Sequence, residues 1–326
     1  MVIIIGAGPI GLATAIALKE KGISTKIIER GCVVNSIFNY PKDMTFFSTS
    51  ERLEIGGVPF ISHGPKPTRR EALEYYRRTA ESHELDIHVY EEVQSVEGSD
   101  GSFTVITDKD RYDAEKVVVA TGFYDIAKKM NIPGEELDKV THYYDEAHPY
   151  AWQDVLVIGG GNSAVDAALE TYRTNANVTL AVRNPHIKES VKYWVRPDIE
   201  NRIKNNEITA YFNTEVKEIK PKEVVLDTPD GEVTISNDFV LAMTGYKPNF
   251  SLMKKFGIDL TDDEKKMPVF DDETLETNRK GMYVAGVVCG GMDTSSLFIE
   301  NTRVHANHIA EDIEEKLGNI EQMNKE

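Results

Sequence analysis

The sequence predicts an α/β protein with two separate parallel-sheet units. Two observations lead there. A β-branched run, a glycine-rich loop, an Ala/Leu-rich helical stretch and a second apolar run open the chain in that order. The same series returns near the middle of the chain. At 326 residues the chain also has room for two cores.

In the first copy, Val2-Ile3-Ile4-Ile5 is a short buried strand and Gly6-Ala7-Gly8-Pro9-Ile10-Gly11 the loop. A helix over 12–21 follows, then a strand over 25–28 that ends at Glu29. In the second copy, Val155-Leu156-Val157-Ile158 leads into Gly159-Gly160-Gly161-Asn162-Ser163-Ala164. A helix over 165–173 and a strand over 178–182 then end at Arg183. Between and after these, Thr68 and Glu71 form a capping box that opens a helix. The runs 116–119, 238–243 and 282–285 are buried strands that each run into a glycine turn, and 297–317 reads as mostly helical. The polar tail from Gly318 is expected to fray.

The glycines carry the chemistry. A dinucleotide pyrophosphate must approach backbone closely at the positive end of a helix, where side chains would clash. Gly6 makes the tight turn, Gly8 admits phosphates and Gly11 lets helix pack on strand. Glu29 stands where an acid takes ribose hydroxyls. In the second loop Gly159, Gly161 and Ala164 form GxGxxA, with Asn162 and Ser163 between them. The position matching Glu29 is Arg183, which pairs with a 2′-phosphate where an acid would repel it; Lys188 adds charge. Two dinucleotide sites imply electron transfer between two cofactors, most simply FAD in the first and NADPH in the second.

Charge and cysteine content narrow the class. The net charge of −17 disfavours nucleic acid and anionic membranes as partners. Cys32 and Cys289 are the only cysteines and no CxxC occurs. That excludes a cysteine-ligated zinc site, an iron–sulfur cluster held by this chain alone and an internal redox dithiol; no metal is expected. The cysteine usage and the absence of any membrane-length apolar run fit a cytoplasmic protein. With Gly6 opening the first motif, no room for a signal peptide is expected.

With both loops, Ala120-Thr121-Gly122, Met243-Thr244-Gly245 and the late strand ending at Gly286 in order, the chain resembles the thioredoxin-reductase-type flavoproteins. The resemblance implies two Rossmann-like dinucleotide-binding domains of the three-layer ββα type, the NADPH domain inserted in the FAD domain. Residues 1–124 and 244–326 would form the FAD domain and 125–243 the insert. It also implies FAD contacts at Pro9, Ile10, Val93, Thr121, Gly122 and Gly286. Phe298 and Ile299 would open a helix whose dipole faces the flavin.

Departures from that family bear on mechanism. His142-Tyr143-Tyr144-Asp145 stand where its CxxC lies, and Val287 where an Asp usually holds the ribityl chain. A narrower resemblance, to the bacillithiol-disulfide (bacilliredoxin) reductases of low-GC bacteria, rests on six segments. They are Asn39-Tyr40-Pro41, Phe46-Phe47-Ser48-Thr49, Leu53-Glu54-Ile55-Gly56, Lys66-Pro67-Thr68-Arg69, Lys192-Tyr193-Trp194 and Phe298-Ile299-Glu300-Asn301. It implies an NADPH-dependent reductase of a low-molecular-weight thiol disulfide or its redoxin adduct, working as a homo-oligomer. Many members carry a cysteine inside the first loop; here the place is Ile10.

Cys289 is then the one candidate for thiol catalysis, against the reading of a small buried apolar residue. His148 and Tyr150 read as flavin-facing or as packing residues. Three other functions remain open on the sequence. A flavin monooxygenase shares the Gly161-Asn162-Ser163 stretch and a histidine at 148, but His142 and Tyr144 stand in its Phe and Gly places. A ferredoxin–NADP reductase would repel its acidic partner. A redox sensor would bind the nucleotides without turnover.

Overall fold

The computed structural model describes residues 1–323, with side chains to Gly318. The chain divides into two compact units, the first comprising 1–38, 45–126 and 246–326, the second 39–44 and 127–245. The crossings fall two residues beyond those read from the sequence, and Asn39–Met44 belongs with the second unit.

The first unit opens with β1 (Val2–Ile5), α1 (Pro9–Glu20) and β2 (Thr25–Ile28). Every β1 side chain is buried, as a parallel strand covered on both faces requires. Pro9 at the first helical turn has no N–H to waste, so α1 starts there rather than at Leu12. The one-turn α2 (Asn35–Phe38) and α3 (Arg69–Ser82) follow. Thr68 and Glu71 form the expected capping box on α3. After β3 (Ile87–His88) comes an antiparallel meander, β4 (Val93–Ser99), β5 (Ser102–Thr107) and β6 (Arg111–Ala114), and then β7 (Lys116–Val119).

The second unit repeats this plan. Its sheet contains β8 (Val140–Thr141), β9 (Asp154–Ile158), β10 (Asn177–Val182) and β11 (Thr209–Phe212). Helices α4 (Asn162–Arg173) and α5 (Arg196–Lys204) lie between them in sequence. The meander is β12 (Glu215–Ile219), β13 (Glu223–Thr228) and β14 (Gly231–Ser236), followed by β15 (Phe239–Ala242). The spatial order is β11-β10-β9-β15-β8, all parallel. Period-two alternation splits the core: Val155, Val157, Leu180 and Leu241 pack with the helices, while Leu156, Ala181 and Val240 pack with the meander. Where the insert ends, Lys128 donates its N–H to the Gly245 carbonyl at 2.9 Å.

Back in the first unit, α6 (Phe250–Lys255) is capped by Asn249, and β16 (Met282–Val284) joins β7. The sheet order is then β16-β7-β1-β2-β3. Ile3, Ile5, Val117, Val119, Met282 and Val284 face the meander residues Val96, Phe103 and Val105. On the other face, the Tyr283 hydroxyl donates to Asp312 at 2.6 Å. Asp312 belongs to α8 (His305–Met323), which also packs along α1.

One helix expectation holds with a break: 297–317 is mostly helical. The stretch 297–317 is not continuous: α7 (Ile299–Thr302) is a single turn, interrupted before α8 begins. At the break, Arg303 Nη1 donates to the carbonyls of Glu51 and Glu54, each at 3.0 Å, a tertiary contact that periodicity does not show. At the other end α8 continues past Gly318 to Met323, and the last three residues of the expected fraying tail lie outside the described residues.

Candidate active site

In the first unit, the C-terminal ends of β1 and β7 flank the place where strand order reverses, the position at which open α/β sheets bind ligands. Gly6 has φ +110°, and a Cβ there would stand 2.6 Å from the Ala120 carbonyl oxygen. A Cβ on Gly11 would stand 2.0 Å from Gly6 O, so Gly6 serves the packing of the loop on the end of β7 and Gly11 the loop's own turn. Gly8 differs. It caps α1 without a side-chain hydrogen bond, and a Cβ there would meet no atom within 4 Å. The first-turn N–H groups of α1 therefore face open space of the kind a phosphate fills.

Glu29 leaves the end of β2 toward the same loop. Its carboxylate accepts from Ala7 N–H at 2.8 Å and Gly31 N–H at 2.7 Å. Burial pushes its pKa up, while those two N–H groups oppose the shift. The loop beyond it holds Val34 at φ +50°, a strained conformation for a β-branched residue, with Val34 N–H donating to Ala7 O at 3.0 Å.

Three distant segments meet around this loop. Gly122, after Thr121, has φ +68°, and a Cβ there would lie 3.9 Å from Val287 Cγ2. Gly286 has φ +82°, and a Cβ there would press on Ile10 at 3.0 Å. Phe298 is an exposed, extended N-cap whose N–H donates to Asn301 Oδ1 at 2.7 Å, and Ile299 begins α7. Because α7 is one turn long, it cannot supply the helix dipole expected at Phe298. Val93 follows Tyr90 and Glu91, whose N–H groups donate to the carbonyls of Gly31 and Glu29; its side chain is buried among Val96, Phe103 and Val105 at the start of the edge strand β4, which leaves its backbone for a ligand.

Cys289 sits in the 3₁₀ turn Gly286–Gly290, 2% exposed within the hydrophobic core. Burial pushes its thiol up to about 12, so at neutral pH it is protonated and not a nucleophile. Cys32 is half-buried, and burial together with Glu29 raises its pKa as well. Both cysteines are free thiols.

The second loop is built on the same logic. Gly159 has φ +130°, and a Cβ there would lie 2.5 Å from Met243 O and 3.2 Å from Ala164 Cβ. A side chain at 159 would therefore press on Ala164 as well as on Met243. Gly161 caps α4 with no side-chain bond, and its nearest neighbour on the Cβ side is Lys188 Cδ at 3.9 Å. Arg183 at the end of β10, Lys188 and Ser163 are all exposed. Neither cation meets a carboxylate among the described residues.

The sequence did not reveal what holds this loop. Lys188 N–H donates to Gly160 O at 2.9 Å. The Asn162 side-chain amide spans the loop: Oδ1 accepts from Lys192 N–H at 2.9 Å and Nδ2 donates to Ser190 O at 3.2 Å, which leaves its backbone at the start of α4 for a cofactor. The largely buried Lys192 ammonium completes the latch at 2.7 Å from Asp166 Oδ2.

Where related folds carry a dithiol, this chain places packed polar groups. His142 is buried, its Nε2 3.1 Å from Glu135 Oε1, and burial lowers its pKa. The Tyr144 hydroxyl donates to Glu170 at 2.6 Å and is held in its neutral form by burial. Tyr150 packs edge-on against Phe239, and His148 is exposed. No group of His, Cys, Asp and Glu among the described residues could hold a metal ion, and no helix among them is long and apolar enough to cross a membrane.

Comparison with known proteins adds to this geometry. Residues 3–286 match the family model for pyridine nucleotide-disulphide oxidoreductases. The chain is 45% identical over 313 residues to the bacilliredoxin reductase Bdr of Bacillus subtilis, covering 95% of this chain and 96% of that one. The solved bacillithiol disulfide reductase Bdr (YpdA) of Bacillus cereus superposes with a TM-score of 0.94 at 43% identity, covering 97% of this chain and 99% of that one. The Staphylococcus aureus enzyme of the same name gives 0.94 and 43%, covering 97% and 98%.

Proposed function

Since the chain belongs to the pyridine nucleotide-disulphide oxidoreductases and, within them, to the bacilliredoxin reductases, we propose that it reduces bacillithiol disulfide, free or as a bacilliredoxin adduct. It is an NADPH-dependent flavoprotein oxidoreductase. The overall reaction balances as NADPH, one proton and a disulfide giving NADP⁺ and two thiols. The observation that carries the reading is a pair of uncapped helix N-termini behind glycine loops, in a chain whose buried Cys289 is not poised to relay electrons.

The residues fit both cofactors. The space beyond Gly8, which a Cβ would enter, suits the FAD pyrophosphate, and Glu29 suits the adenosine ribose. Thr121, Gly122 and Gly286 come from the crossing strands to the same loop. In the insert, Gly161 and the α4 N-terminus suit the second pyrophosphate, and Arg183 and Lys188 its 2′-phosphate. Bound in the first unit, FAD would supply two-electron transfer between NADPH and the disulfide. The chain's own part is to seat each coenzyme by its phosphates, hold the Glu29 carboxylate in place through two N–H groups, and keep Cys289 protonated and out of reach.

The monooxygenase and ferredoxin-reductase readings are not favoured: the named ferredoxin reductases match at 24–28% identity, against 45% for Bdr. We place the enzyme in the cytoplasm, as a homo-oligomer. The test is NADPH consumption by the purified yellow protein with bacillithiol disulfide, with and without a bacilliredoxin. Acceleration by the disulfide is expected. NADPH turnover that no disulfide accelerates would refute the assignment.

A further inference from the structure

The loop that begins at Gly286 carries no polar side chain able to anchor it toward a ligand, because Gly286 is followed by Val287 and Val288. It is gripped from both sides all the same. On one side stands Ile10 of α1, against which any Cβ on Gly286 would press. On the other, His305, the first residue of α8, brings its Nδ1 to 3.2 Å from the Gly286 N–H and 3.9 Å from the Cys289 sulfur.

We propose that His305 is a positioning residue for the flavin loop: its Nδ1 accepts the Gly286 N–H and thereby sets where Gly286 and Val287 stand against Ile10 and Gly122. The proposal rests on the assignment of FAD to the first unit.

The chemistry of the imidazole supports the role. An acceptor Nδ1 requires the neutral ring with its proton on Nε2. Burial and the nearby His308 push the His305 pKa down to about 4. A site at the N-terminus of a 19-residue helix disfavours the cation further. At neutral pH the ring is therefore a standing acceptor. A protonated ring would set N–H against N–H and release the turn. The left-handed Gly286 cannot be replaced to hold the turn by other means, since Ile10 blocks its Cβ. The hydrogen bond is thus the polar tie that fixes the start of the loop, and the link runs from α8 through Gly286 to the first glycine loop.

The test compares full-length protein carrying His305→Asn, His305→Gln or His305→Leu with the unsubstituted chain. Asparagine places a polar atom where Nδ1 stands; glutamine places it where Nε2 stands; leucine places none. The readouts are FAD retained per chain after gel filtration, the visible flavin spectrum, and KM for NADPH. FAD affinity is expected to fall on the order of tenfold in the Leu and Gln variants, with a shifted flavin band. The Asn variant should be close to the parent, and KM for NADPH unchanged throughout. If the Leu variant does not fold, the Asn–Gln contrast carries the test. Equal FAD binding and unshifted spectra across the variants, or equal loss in Asn and Gln, would overturn the proposal. A parent protein that binds no FAD would instead defeat the cofactor assignment itself.

Discussion

The Lys192 ammonium is largely buried and lies 2.7 Å from Asp166 Oδ2, so an ion pair ties the 186–192 loop to the helix that opens the second glycine motif. Asp166→Asn leaves the lysine charge without its partner. We expect a loss of about 2 kcal/mol in stability, less than for a fully buried pair because Asp166 is partly exposed. We also expect a rise in KM for NADPH with kcat little changed, because the loop carries Lys188. Chemical denaturation and steady-state kinetics check both, and an unaltered KM would show that the latch is not felt at the coenzyme site.

Arg183 is exposed and, among the described residues, has no ion pair that its replacement would break. Arg183→Ala is therefore expected to leave the melting temperature unchanged while raising KM for NADPH about 10- to 100-fold, the worth of a charge-assisted bond. KM for NADH should hardly move. Equal effects on the two coenzymes would remove the arginine from the 2′-phosphate site.

Gly8 and Gly11 separate binding from folding. Gly8 has φ −72° and ψ 173°, a conformation open to alanine, and its Cβ would enter free space. Gly8→Ala should fold normally and lose FAD. Gly11→Ala would drive a methyl to 2.0 Å from a backbone oxygen and should fail to accumulate as folded protein. Normal flavin content in the first variant would mean that the space beyond Gly8 is not the phosphate site.

Cys289 should resist thiol reagents. In the native protein at pH 8, a disulfide-exchange reagent is expected to modify the half-buried Cys32 first, with Cys289 appearing only on unfolding. Cys289→Ser should keep full disulfide reductase activity. Loss of activity with flavin content intact would return the thiol to the mechanism.

His305 also predicts a pH signature. Its pKa is about 4 in the folded chain against an ordinary 6.5. Between those values the unfolded chain takes up a proton that the folded chain refuses. Stability should therefore fall as pH drops from about 6.5 to about 4, with no further slope from this group outside that window. Its titratable neighbours are Cys289, which stays a protonated thiol, and His308 one turn along α8. His305→Asn should flatten the slope; an identical slope in denaturation curves at stepped pH would assign it elsewhere.

Both glycine loops could be read from the sequence because their spacing is local. Gly11 is required by the Gly6 carbonyl five positions back, although Gly6 and Gly159 themselves make room for the distant carbonyls of Ala120 and Met243. The capping box at Thr68 and Glu71 was legible for the same reason. What stayed hidden joins residues far apart. Asn162 spends its amide on Ser190 and Lys192, about thirty positions on. Arg303 interrupts a periodic helix by reaching carbonyls some 250 positions back. Arg279 donates to the carbonyls of Val96, Gly98 and Phe256, a structural role that its surface-like neighbours Asn278 and Lys280 conceal. Val93 buries its side chain in a meander that the strand pattern did not announce.

The hydrogen bond from Lys128 to Gly245 brings the exit of the inserted unit beside its entrance. A module with adjoining ends can be excised and closed by a short linker, or exchanged for another, without stretching its host. Trading coenzyme preference between relatives thus reduces to two splices, with one passenger to carry along. The Asn39–Met44 strap must come from the same parent, because Lys42 pairs with Asp145 at 2.8 Å and Glu146 at 2.7 Å.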